Sequence, residues 1–215
     1  MLKDNRDLSE GQPGAREVQA LVALKLLEVI RDNDLPGEVL EEEDTSRTMP
    51  RRFGLSDVVE RQIRTYKEDV RKHIRLSDEE IEGLFRFVIR RPDGNDVFDQ
   101  AGSLLAGSGG QPYLSRILSR RMRIALARRS VRRRLRSLFG RDIVGFGREG
   151  FVLEGRALVF TDGEPVGGAC YLISGVCRQV IERVVGVKAS VIHTKCQSRG
   201  DPICRWELDV LGPRT

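Results

Sequence analysis

The sequence contains no apolar run long enough to cross a bilayer. A transmembrane helix needs about 18 or more consecutive apolar residues, and no such stretch occurs. The first residues, MLKDNRDLSEGQPG, also lack the apolar core of a secretory signal. We therefore expect a cytoplasmic protein without a membrane span, in a compartment where stable disulfides are rare.

Catalytic motifs are scarce as well. The 215-residue chain has two histidines, no G-x-x-x-x-G-K-[ST] phosphate loop and no recognisable nucleophile motif. Residues 145–150 match G-x-G-x-x-G, but they lead into the strand-like FVLEG and not into the helix that a dinucleotide's pyrophosphate requires. We therefore predict no catalytic residue, interpret these glycines as a turn, and favour a protein that is not an enzyme.

Aromatic residues are few, and this bears on the role of the arginines. Residues 116–141 hold eleven arginines and no acid, lysine or histidine, in a chain of net charge +5. Such a helix could follow phosphates, but only Tyr113 and Phe139 lie close enough in sequence to stack on bases. Apolar residues recur at every seventh position, at Ile117, Ile124, Val131 and Leu138. This spacing favours a packed structural helix with a solvated or ion-paired face over a nucleic-acid-binding helix.

The order of predicted elements places helices before strands. Helical spacing and chain breakers predict helices over 15–33, 56–74, 77–90, a short segment ending at 106, and 112–139. Ser77 and Glu80 have the spacing of a capping box. After Gly140 the pattern predicts strands at 151–153 and 157–160, a helix over 169–185, and strands at 188–196 and 203–210.

This order predicts an α+β fold in which N-terminal helices pack on an antiparallel sheet. We expect residues 1–13 to form a flexible tail and residues 14–110 a helical N-terminal part. Residues 111–215 are then a long helix followed by the sheet and its helix. The two parts are expected to form one compact domain.

Four cysteines in a cytoplasmic chain indicate metal ligands, reactive thiols or core residues more than disulfides. Cys196 and Cys204 flank a loop whose glycine and proline favour a tight turn, which would bring their sulphurs together. His193 would face the same point if its strand bulges at the end. Cys170 opens the predicted helix, whose N-terminus favours a thiolate.

Three thiolates and an imidazole suit tetrahedral Zn²⁺, so we predict a structural zinc bound by Cys170, His193, Cys196 and Cys204. Four protein ligands leave no open position for an activated water. The spacing is not that of a standard zinc finger, and two alternatives stay open: cysteines buried without a ligand, and a solvated edge-strand histidine.

Three further residues are predicted to lie outside the metal site. Cys177 is predicted to be a core residue, Trp206 to be a core residue beside the site, and His73 to lie on the surface.

The last part of the chain, from about residue 130 to 210, resembles the 4-vinyl reductase domain family of bacteriochlorophyll biosynthesis proteins and of the sensor modules of aromatic-responsive activators. The family has a cysteine after small residues, then E-x-x-C, a G-D-P loop and C-x-[WF]-x-[LV]. Here Cys170 follows Gly-Gly-Ala, and the closing stretch reads HTKC, GDP and CRWEL. In the sensor modules the corresponding positions bind zinc. His193 stands where the family has glutamate.

The resemblance implies a TRAPP-like α+β fold, a structural zinc, a hydrophobic pocket between helices and sheet, and homodimerisation. The expected function is therefore a zinc-containing sensory or regulatory module that binds an apolar small molecule, aromatic or lipid. One alternative is an enzyme or accessory factor in tetrapyrrole (bacteriochlorophyll) metabolism, which would need a redox cofactor site that the sequence does not display. The second alternative is a nucleic-acid-binding regulator that uses the arginine-rich helix.

Overall fold

The computed structural model describes residues 16–34, 45–107, 119–147, 151–155, 168–186 and 188–210. Within these ranges the chain forms two antiparallel sheets and the helices that pack on them, so the α+β prediction is confirmed. The predicted tail at 1–13 and the predicted strand at 157–160 lie outside the described residues. No helix in the described ranges is long and apolar enough to cross a membrane.

The N-terminal part is mostly helical. It contains, in order, strand β1 (Arg16–Gln19), helix α1 (Ala20–Asp34), helix α2 (Thr45–Arg71), strand β2 (Arg75–Ser77), helix α3 (Asp78–Ile89) and helix α4 (Gly94–Leu105). Ser77 caps α3, and Glu80 completes the predicted capping box by accepting from the Ser77 N–H at 2.7 Å.

The first two helices start at other residues than the sequence predicts. Residues 16–19 form a strand and not the first turn of α1, because they pair with β2 and bury Val18 opposite Leu76. Helix α2 begins at Thr45 and not at 56, so the predicted start of this helix was wrong. The helix runs through Pro50, whose missing N–H costs one backbone hydrogen bond. His73, just beyond the end of α2, is exposed as predicted.

The C-terminal part begins with the arginine-rich helix. It contains helix α5 (Arg120–Phe139), strand β3 (Val144–Phe146), strand β4 (Val152–Gly155), helix α6 (Cys170–Val185), strand β5 (Ala189–Lys195) and strand β6 (Cys204–Val210). The four strands form an antiparallel sheet in the order β3-β4-β6-β5. Gly145 lies within β3 and not in the turn that the glycine pattern predicts, whereas Gly147 donates its N–H to the carbonyl of Val152 at 2.9 Å.

Helices α4 and α6 pack backbone against backbone. A Cβ added at Gly102 would lie 2.1 Å from the Leu172 carbonyl oxygen, and one added at Gly175 would lie 2.2 Å from the Asp99 carbonyl oxygen. Arg178 extends the contact by an ion pair with Asp99. This contact fixes the position of α6, whose first residue is Cys170.

Helix α5 is packed as its seven-residue spacing predicts. Val131 and Leu138 are buried and Ile124 is half-buried, whereas the start of the predicted helix, at 112–118, lies outside the described residues. The helix begins at Arg120, and the Ser119 hydroxyl accepts from the Met122 N–H at 3.4 Å.

Several arginines of this region point into the fold. Arg123 donates to the Val185 carbonyl at 3.0 Å, and Arg134 donates to the Leu105 carbonyl. Arg141, just after the helix, is buried and pairs with Glu17 at 2.7 Å and with Asp78 at 2.8 Å. These contacts bind α5 to both parts of the fold.

Candidate metal centre

A bulge at the end of β5 turns His193 and Cys196 to the same side of the sheet. In a regular strand, residues three apart point to opposite faces. The pairing of β5 with β6 shifts between His193, opposite Trp206, and Lys195, opposite Arg205, so one extra residue enters β5 there. That extra residue reverses the alternation, and the strand bulge on which the predicted histidine ligand depends is therefore present.

The loop between Cys196 and Cys204 is held by hydrogen bonds among its own residues. The Arg199 and Asp201 N–H groups donate to the Cys196 carbonyl at 3.0 and 3.1 Å. The Asp201 carboxylate accepts from the Cys196 N–H at 2.7 Å. Gly200 has a φ of 92°, which glycine adopts without steric cost. This tight turn brings the two cysteines to the same end of the hairpin.

Helix α6 supplies the third cysteine from its first turn. The helix begins at Cys170, so the first turn of the helix places this side chain. The Trp206 indole N–H donates to the Cys170 carbonyl at 3.3 Å, so β6 is tied to the start of α6. Because Cys204 and Trp206 are two residues apart, both face α6 from the same side of the strand.

The four predicted ligands converge. The ligand atoms of Cys170, His193, Cys196 and Cys204 all lie within 4.8 Å of one another. The Cys170 and Cys204 sulphurs are 3.8 Å apart. Two sulphurs that each lie about 2.3 Å from zinc at the tetrahedral angle are separated by about 3.8 Å. The four side chains could therefore hold a metal ion such as zinc.

The three thiols affect one another's protonation. The hydrogen bond with Cys170 lowers the pKa of Cys196 to about 5, although burial opposes this shift. The hydrogen bond with Cys170 likewise lowers the pKa of Cys204 to about 6, with a further contribution from His193. Hydrogen bonds to Cys196 and Cys204, together with burial, raise the pKa of Cys170. The arrangement favours thiolates at Cys196 and Cys204, the form in which cysteine binds metals.

The imidazole of His193 is positioned by Trp206. The two rings are stacked, with centroids 4.9 Å apart and an interplanar angle of 20°. Nε2 of His193 is buried and has no hydrogen-bond partner among the described residues. A buried nitrogen without a partner is costly, and coordination of a cation would remove that cost.

Two contributions to the site were not predicted from the sequence. One is the Asp201 carboxylate, whose hydrogen bond to the Cys196 backbone fixes the loop. The other is the Gln197 N–H, which donates to the Cys204 sulphur at 3.4 Å. The Gly-Asp-Pro sequence could have indicated the role of Asp201, because aspartate in a turn commonly accepts hydrogen bonds from nearby backbone N–H groups.

The residues predicted to lie outside the site do so. Cys177 is buried in the core, where burial raises the pKa of its thiol, and it is not part of the four-residue cluster. Trp206 is fully buried beside the cluster, as predicted. Cys196 and Cys204 are also buried.

Compared with known protein families the chain matches none, and compared with curated proteins it has no match either. The chemistry of the site is therefore inferred from its own donor atoms and their arrangement.

Proposed function

We propose that this chain is a zinc-containing module whose metal fixes the β5–β6 hairpin to the start of α6. The observation that carries the proposal is the convergence of three cysteines and one histidine within 4.8 Å. Thiolate and imidazole ligands suit Zn²⁺, and four protein ligands complete a tetrahedral site. The zinc is structural, since no coordination position is left for a reacting water.

Elemental analysis of untagged protein, purified without chelator, tests this proposal. About one zinc per chain is expected. The variants His193→Ala and Cys204→Ser should lose it, whereas Cys177→Ala removes a buried thiol outside the cluster and should keep it. A chain that contains no metal and whose stability does not respond to added Zn²⁺ would disprove the zinc proposal.

We further propose that the module binds a hydrophobic small molecule, aromatic or lipid, and acts as a dimeric sensory or regulatory unit with a TRAPP-like fold. The support is the sequence resemblance to 4-vinyl reductase domains, together with an α+β order in which helices precede the sheet. In this proposal zinc keeps the β5–β6 hairpin in place. Binding of the apolar ligand changes a surface that a partner protein or a second copy of the chain contacts.

Thermal-shift measurements with zinc-loaded protein test the ligand proposal. A set of aromatic compounds and fatty acids should contain some that raise Tm in proportion to log concentration, as binding to the folded state requires. Polar analogues of the same compounds are the control. If no apolar compound shifts Tm while the zinc content is complete, ligand binding is excluded for that set and the metal proposal is unaffected.

A further inference from the structure

Helix α5 presents a solvent face that no other described element covers. Its exposed residues fall within a sector of about 140° at the helical spacing of 100° per residue. We define them as the outer face of α5: Arg121, Met122, Ala125, Leu126, Arg129, Arg132, Arg133 and Arg136. Five of the eight are arginines, and lysine is absent from the face.

The arginines of the outer face differ from those that point inward. Arg132 and Arg136 pair with Asp142, at 2.9 and 3.7 Å. Arg121, Arg129 and Arg133 form no ion pair or hydrogen bond with the described residues. Asp142 thus pairs with two of the five guanidinium groups, and within the described residues Arg121, Arg129 and Arg133 leave the outer face positively charged.

Two large apolar side chains share this face. Met122 is 53% exposed and Leu126 is 39% exposed, and they lie one turn apart at the N-terminal end of the helix. Arg129 and Arg133, for which the described residues provide no ion-pair partner, follow them on the next two turns. We call Met122 and Leu126 the apolar end of the outer face, beside which Arg121 also lies, and the stretch from Arg129 to Arg136 its basic end.

We propose that the outer face of α5 docks an acidic segment of a partner protein, in which two apolar side chains are followed by carboxylates. Arginine binds carboxylates through two parallel hydrogen bonds, which lysine cannot do. Arginine and methionine are also enriched in protein interfaces, and lysine is depleted there. The apolar end packs against the partner's apolar pair, and the basic end pairs with its carboxylates.

A protein partner fits this face better than nucleic acid or a membrane. A phosphate backbone offers nothing to bury Met122 and Leu126, and the outer face carries no aromatic ring for base stacking. A helix that lies on a membrane turns its main apolar face towards the lipid. The main apolar face of α5, with Val131 and Leu135, is buried in the protein core.

Binding of a labelled synthetic peptide to the full-length, zinc-loaded chain tests the proposal. The peptide is helical, with two leucines one turn apart and glutamates on the facing positions of the next two turns. Fluorescence anisotropy should show saturable binding that weakens with salt. The double substitution Arg129→Glu and Arg133→Glu should weaken peptide binding at least about tenfold. The same double variant should bind a second peptide in which lysines replace the glutamates.

A matched control is Arg61→Glu combined with Arg64→Glu, which reverses two exposed charges on α2 and should leave peptide binding unchanged. Circular dichroism and Tm establish that both double variants are folded. Equal loss of binding in the two double variants would show a net-charge effect and overturn the proposal. Tighter binding to duplex DNA, to RNA or to phosphatidylserine vesicles than to the peptide, abolished by the α5 variant, would also overturn it.

Discussion

Helix α6 is held by different means at its first turn and at its middle. At the middle, Gly175 allows the backbone of α4 to approach so closely that no side chain fits between the helices. At the first turn, Cys170 is placed among three other potential metal ligands. The contact at the middle depends on close packing and the Arg178–Asp99 ion pair. The contact at the first turn brings together thiols that become most stable when a cation is bound. The two regions should therefore respond differently to mutation and to metal removal.

Metal removal should have the largest effect. Chelation, or Cys204→Ser, should lower the free energy of unfolding by more than about 4 kcal/mol, because binding energy of a structural zinc is folding energy. Hydrogen exchange should show faster opening of β5 and β6, while the α4–α6 contact stays protected. Cys177→Ala should retain zinc and lose only the packing of one side chain. Uniform acceleration of exchange across α4, α6 and the hairpin would contradict the separation of the two regions.

Filling the space between α4 and α6 should have the next largest effect. Gly175→Ala places a Cβ about 2.2 Å from the Asp99 carbonyl oxygen, so the helices must move apart at a cost of about 3 kcal/mol. Urea denaturation of zinc-loaded protein measures this cost, and the zinc content should not change.

Gly83→Ala on α3 is the control for this substitution. A Cβ at Gly83 meets nothing within 4 Å, so the substitution should stabilise α3 by up to about 1 kcal/mol. If both substitutions had the same effect, the close approach of α4 and α6 would not explain the glycine at 175.

Removal of the Asp201 carboxylate should weaken the loop without removing a ligand. Asp201→Ala leaves the Cys196 N–H without its 2.7 Å partner, at a cost of about 1–2 kcal/mol. Zinc should still bind, but it should dissociate faster when a competing chelator is added. Asp201→Asn keeps a carbonyl oxygen as acceptor and should restore most of the stability. Loss of zinc in both variants would indicate that Asp201 affects the metal directly.

The smallest effect is expected far from both regions. Ser77→Ala removes the hydroxyl that accepts from the Glu80 N–H and should cost about 1 kcal/mol. Thermal unfolding should show a small decrease in Tm with unchanged zinc content. A change in zinc content would show that α3 is coupled to the metal centre, which its place in the fold does not suggest.

The sequence predicted most helices and the strands β4, β5 and β6 because these elements follow local rules. The capping box of Ser77 and Glu80, the periodic apolar residues of α6 and the alternation of β5 act over a few neighbouring positions. The errors arose where distant pairing competes with local preference. Residues 16–19 fit a helical pattern, but their pairing with β2, almost 60 positions away, makes them a strand.

The candidate ligands were also predicted from the sequence, because cysteine, histidine and a tight turn are chemically specific signals. Their geometry was not. That His193 and Cys196 face the same point depends on a bulge whose position is set by pairing with β6. Cys170 reaches them because α6 packs closely against α4 and because the Trp206 indole N–H donates to the Cys170 carbonyl.

The sequence by itself thus determined the α+β class, most elements and the set of donor atoms, since these depend on local propensity and residue chemistry. The tertiary structure alone decided which arginines of α5 point inward, how closely α4 and α6 approach, and that four donors meet within 4.8 Å. Such distances follow from packing between residues far apart in the chain, and no short sequence pattern encodes them.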